Sequence, residues 1–227
     1  LAQLSESSVR LVPAIAGTLA VVLLALLVAP RSEDPAAGFG RWPALAAALF
    51  LAVSPPAVYY SRYFVQETIL AALTLATFLA VRHWWRTGLT RWAVLVGVCA
   101  GLMQATKATA PLFLILAFAA FALVRGTARP ATRRPRRDAA FAVLAAALVA
   151  GLLYSSFGTH LAGLRDALSV YTHAAQRFGA EAAPTGHEKP WWYYLRLFGW
   201  FREGGLVWHQ AAFSALAPLL AADPDLR

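Results

Sequence analysis

A chain of 227 residues that is 59% hydrophobic and 14% charged, with a mean hydropathy of +0.57, is too apolar for a soluble domain and fits a polytopic membrane protein. Its net charge of +9 does not indicate a nucleic-acid partner, because the basic residues fall in short loops between apolar runs, as the positive-inside bias expects. Cys99, the single cysteine, lies in an apolar run and reads as a small core residue, so a disulfide framework is excluded.

Seven apolar segments read as membrane helices, at about 11–29, 42–60, 65–81, 92–106, 108–124, 139–157 and 206–222. Several are near the lower length limit, which suits helices ending at a cavity or half-spans inside a larger bundle. No internal repeat is visible. The chain starts at Leu1 rather than Met and stops after Pro224-Asp225-Leu226-Arg227, so the expectation is an internal piece of a longer protein.

Between the first two segments, Pro30–Arg41 carries two arginines and two acids. The second and third are separated by Ser54–Glu67, SPPAVYYSRYFVQE. Pro55 and Pro56 should end the preceding helix. Glu67 then starts the next span, where the helix dipole favours an anion. Arg62, five residues earlier, reaches either an anionic headgroup or Glu67. The alternative for this cluster, with Tyr59, Tyr60 and Tyr63, is an aromatic belt with a structural ion pair.

The next loop, Arg82–Arg91, has three arginines and no acid. Lys107, in Gln104-Ala105-Thr106-Lys107-Ala108-Thr109, sits at the end of a short span. It either snorkels to water or holds a phosphate as a point charge. Arg125–Asp138 carries six arginines and one acid, and reads as a topology signal in contact with lipid headgroups.

If every segment spans, these three basic loops share the cytoplasmic side. The other side then holds Ser54–Glu67, the Lys107 turn and the loop 158–205. In that loop Leu161, Leu164, Leu168, Tyr171 and Phe178 follow helical spacing, which predicts an amphipathic helix along the outer surface. His187-Glu188-Lys189-Pro190-Trp191-Trp192-Tyr193-Tyr194 follows; its rings suit either a headgroup-level anchor or stacking on a sugar. No histidine pair has helical metal-ligand spacing and no CxxC or HExxH occurs, so a zinc site is not expected. No phosphate-binding glycine loop and no GxSxG support ATP-driven or serine-hydrolase chemistry.

The order SPPAVYYSRYFVQE, a basic loop, GLMQATKAT, then HEKPWWYYL and a Phe-Arg-Glu resembles the membrane proteins described as flippase-activity-associated. Those are similar to the dolichyl-phosphate-mannose protein mannosyltransferases and to the aminoarabinose transferase of lipid A, glycosyltransferases of the GT-C fold. The resemblance runs from about Ser5 to Glu203. It implies an all-α transmembrane bundle in the cell membrane of a bacterium or archaeon, with its active face extracytoplasmic. It implies a polyprenyl-phosphate sugar donor and a glycan, lipid or protein acceptor. Glu67 becomes the catalytic-site acid, orienting donor or acceptor or helping to hold a divalent metal, since metal dependence varies among these enzymes. Arg62, Tyr63 and Lys107 become donor contacts, and His187, Trp191, Tyr193 and Tyr194 the outer-loop motif. Two departures stand out: Ala108 occupies a position where the flippase-associated pattern has an acid, and the usual catalytic acid is expected upstream of Leu1. The rival readings are a non-enzymatic accessory to lipid-linked oligosaccharide flipping, sharing the same lipid-phosphate pocket, and, third, a transporter. A transporter predicts polar groups near the membrane midplane rather than gathered at one face.

Overall fold

The computed structural model describes residues 5–28, 42–124, 131–132, 134–179, 200–203 and 206–209. They belong to two units, Leu1–His173 and Ala174–Arg227. The described part of the first unit is helical, with α1 (Glu6–Val28), α2 (Trp42–Val53), α3 (Pro55–Arg62), α4 (Gln66–Thr87), α5 (Thr90–Thr106), α6 (Ala110–Val124), α7 (Pro135–Tyr154) and α8 (Ala162–Gly179), the last running on into the second unit.

Local chemistry sets the boundaries. The Ser5 hydroxyl caps α1 by accepting from the Ser8 N–H at 3.2 Å. The apolar run expected as one span over 42–60 is instead bent by 57° between α2 and α3. Pro55 and Pro56 lack the donors that would continue α2, but they fit the first turn of a new helix. Tyr59 to Arg62 therefore lie on a helix, not in the turn expected from the sequence. Gly88 ends α4 in the left-handed region at φ 65°, its N–H bonded to the Trp84 carbonyl. Lys107 is extended (φ −150°, ψ 129°), which separates α5 from α6.

Packing is tight where side chains are smallest. A Cβ at Gly97 or Gly101 would run into the backbone of Ala142 or Ala146 on α7. The Gly97-x3-Gly101 spacing thus lets α5 and α7 approach backbone to backbone, as in membrane helix pairs. The buried clusters are small: Ala16, Ala20 and Ala72 between α1 and α4, and Leu70, Met103 and Ala110 among α4, α5 and α6.

The outer surface is apolar instead. Leu11, Ile15, Leu19, Val22 and Leu26 form an exposed stripe along α1, and Leu144, Leu148 and Leu152 another along α7. Such stripes need lipid rather than water as solvent. Among the described residues α1, α4 and α7 are long and apolar enough to cross a membrane, and the bent α2–α3 pair makes a fourth if it counts as one span.

The bundle has two chemically distinct ends. At one, the Arg10 guanidinium lies over the Tyr63 ring, and Gln104 of α5 meets Tyr154 of α7. At the other, Arg82 donates to the Leu27 carbonyl and Asp138 gathers three elements. Asp138 is fully buried in the first turn of α7. It accepts from Trp84 Nε1 (3.1 Å), Thr90 Oγ1 (2.9 Å) and Thr132 Oγ1 (2.7 Å), with Arg137 at 3.4 Å. A buried carboxylate persists only with such a donor set. Arg86, Arg91, Arg134, Arg136 and Arg137 belong to this same basic end by chain position.

The described residues of the second unit include β1 (Trp200–Glu203) and β2 (Leu206–His209), an antiparallel pair with Trp200 opposite His209 and Glu203 opposite Leu206. The span expected over 206–222 therefore opens as a strand, and its remainder lies outside the described residues.

Candidate functional site

Three charged residues from three places in the chain line one cavity. Arg62 is the last residue of α3, where a cation complements the helix C-terminus. A short link, residues 63–65, closed by the Val65 N–H on the Tyr63 carbonyl at 2.8 Å, leads to Glu67 in the first turn of α4, where an anion is favoured. Lys107 arrives from the α5–α6 break. Its Nζ lies 2.9 Å from Glu67 Oε1. The sequence offered Arg62 as a partner for Glu67; the structure pairs Glu67 with Lys107. The Arg62 side chain makes no hydrogen bond or ion pair among the described residues and stays exposed. Tyr63 is exposed as well, its ring tilted against Tyr59 with centroids 4.6 Å apart.

The cavity holds about 1050 Å³. It is walled by α1, α2, α3 and α4, with Lys107 and Phe113 contributing from the far side. Thr18, Ser61 and Thr74 line it, but each hydroxyl donates to a carbonyl of its own helix, to Ala14, Ala57 and Leu70 respectively. The wall they leave is apolar. Thr68 also lines it, and its buried Oγ1 has no partner among the described residues. An apolar chamber bearing two cations and one anion suits a ligand with an apolar body and an anionic head.

No group of three His, Cys, Asp or Glu side chains that could hold a metal ion occurs among the described residues, and the Glu67 carboxylate is already engaged by an ammonium. His187, Trp191, Tyr193 and Tyr194 lie outside the described residues.

Comparison with known families decides the class of this bundle. The family model described as dolichyl-phosphate-mannose-protein mannosyltransferase matches residues 1–155, more than half of the chain. The chain belongs to this family. No curated protein and no solved structure matches. The mannosyltransferase-family match covers the helices α1 to α7 and ends at Ser155, the first residue after α7, and it includes Arg62, Tyr63, Glu67 and Lys107. Together with its lipid-facing helices, this makes the chain part of an integral membrane protein of a glycosyltransferase family.

Sequence reasoning overlooked three features. Gln104, Tyr154 and Tyr171 converge beside Lys107. Asp138 anchors the basic end. Gly97 and Gly101 seat α7. Only the glycine spacing had a local signal strong enough to find it.

Proposed function

We propose that the cavity is the donor site of a glycosyltransferase that moves a sugar from a polyprenyl phosphate to a glycan, lipid or protein acceptor. The observation that carries this reading is the placement of Arg62, Glu67 and Lys107 on one otherwise apolar cavity. The isoprenoid occupies the apolar part and the phosphate meets the cations. An acceptor hydroxyl attacks the anomeric carbon, its new C–O bond forming as the bond to phosphate oxygen breaks. The acceptor's proton passes to a general base, and the lipid phosphate leaves with the bonding electrons. Arg62 and Lys107 stabilise the charge gathering on that phosphate. Glu67 holds Lys107 at its post and orients the reacting groups.

The opposite end carries the arginines, which supports a cytoplasmic placement for it and an extracytoplasmic one for the site. The protein then works in the cell membrane, at its outer face.

Binding of a radiolabelled polyprenyl phosphate to the purified full-length protein tests this. Arg62→Ala should weaken binding by about tenfold or more, the loss of a hydrogen bond between charged groups. Absence of binding by the wild type would remove the donor-site reading. Binding without transfer from any sugar-loaded donor would favour the flipping accessory.

A further inference from the structure

We infer that Tyr171 and Gln104 are positioning residues for Lys107, through which the outer helix α8 sets the geometry of the donor site. The inference rests on Lys107 as the phosphate contact, but the clamp itself is visible without that assignment.

Gln104 lies in the last turn of α5, near the end of an apolar helix. A side-chain amide there has two N–H donors to satisfy. Its Nε2 donates to the Tyr171 hydroxyl at 2.6 Å and to the Tyr154 hydroxyl at 3.2 Å. Each tyrosine then uses its own proton on a main-chain carbonyl. Tyr154 donates to the Gln104 carbonyl (2.7 Å) and Tyr171 to the Ala108 carbonyl (3.0 Å). The four bonds close a network in which each hydroxyl accepts once and donates once.

The two carbonyls flank Lys107, three residues before it and one after. Lys107 itself is held by its N–H on the Met103 carbonyl and by its carbonyl on the Ala110 N–H, both near 3 Å. It is the extended residue between two helices, so its Cα position depends on what fixes 104–108. From that post its side chain reaches Glu67.

Tyr171 belongs to α8, the most amphipathic helix of the bundle unit. Other polar side chains of α8 bond within it: Ser169 to the Asp166 carbonyl, and Thr172 and His173 to the Ser169 carbonyl. Among the described residues Tyr171 makes α8's only side-chain hydrogen bonds to α1–α7 and their links. Leu164 and Leu168 remain exposed on it. Through the Tyr171 hydroxyl, α8 transmits its displacement to the carbonyl beside Lys107.

Tyr171→Phe removes that hydroxyl and keeps the ring. The direct test is the rate at which a membrane-impermeant acylating reagent modifies the Lys107 amine in the full-length protein, mapped by mass spectrometry. Tyr171→Phe should raise this rate about fivefold, as expected for one lost hydrogen bond. Thr172→Val, which loses a hydroxyl bonded only within α8, should leave it unchanged. Equal rates in wild type and Tyr171→Phe would overturn the inference, whatever the activity. In transfer assays Tyr171→Phe should raise the donor KM and leave the acceptor KM unchanged; a shift in acceptor KM alone would also overturn it. If Lys107→Ala binds polyprenyl phosphate like wild type, the donor reading fails, while the labelling rates still decide the clamp.

Discussion

Removing the Asp138 carboxylate should destabilise the basic end of the bundle more than any other single polar change there. Asp138 is fully buried and accepts three hydrogen bonds of 2.7–3.1 Å, with Arg137 at 3.4 Å. In Asp138→Ala the Trp84 indole N–H loses its acceptor and has no second proton position to use. Thr90 and Thr132 can turn their hydroxyls, so their cost is smaller. An orphaned buried donor costs about 1–3 kcal/mol, and breaking a buried charged network about 3–5 kcal/mol. The upper range applies here, because α4, α5, the 132 segment and α7 all meet at this one group. At about 2–4 °C per kcal/mol, the expected fall in Tm is about 6–20 °C. Thermal unfolding of the detergent-solubilised full-length protein, followed by tryptophan fluorescence, reads it. Asp138→Asn should fall between the two, since its amide keeps one acceptor and turns a donor toward another donor. Arg134→Ala, at an exposed position, is the control. A Tm for Asp138→Ala within about 1 °C of that control, well under the predicted range, would mean that Asp138 does not hold the basic end together.

Gly97→Ala should separate α5 from α7 and cost about 1–3 kcal/mol, because its Cβ would meet the Ala142 backbone. Gly151→Ala has nothing within 4 Å of the added Cβ, so its Tm should hold or rise; equal losses at both sites would contradict the close-packing account. Glu67 and Lys107 side chains are 49% and 34% exposed, so their ion pair contributes at most about 1 kcal/mol to stability. Glu67→Gln should therefore leave Tm nearly unchanged while lowering sugar transfer at least tenfold, a loss of about 1.4 kcal/mol in transition-state stabilisation. A large Tm loss in that variant would make Glu67 a structural residue.

The helices that depend on local pattern were readable in advance. Long apolar runs mark α1, α4 and α7, and the spacing of Leu161, Leu164 and Leu168 marks α8. Pro55-Pro56 announces a break, but the break is a bend into α3 rather than a turn, since prolines that end one helix also start another. Residues of the candidate site stand out by their oddity in an apolar chain: Arg62, Glu67 and Lys107. Their pairing does not, because Glu67 and Lys107 are 40 residues apart and meet only through the packing of α4 and α5. Asp138 looks like one acid in an arginine-rich loop until Trp84 and Thr90, 54 and 48 residues away, are seen to enclose it. Tyr171 follows the apolar spacing of α8, and nothing local shows that its hydroxyl reaches Gln104, 67 residues back.

Sugar transfer from a polyprenyl-phosphate donor by the purified full-length protein, compared between wild type, Lys107→Arg and Lys107→Ala, asks whether the Lys107 cation serves the donor phosphate. A donor-phosphate role for Lys107 predicts transfer by the wild type, a fall of at least tenfold in Lys107→Ala, and partial recovery with the charge restored in Lys107→Arg. Transfer that survives Lys107→Ala at the wild-type rate would contradict it.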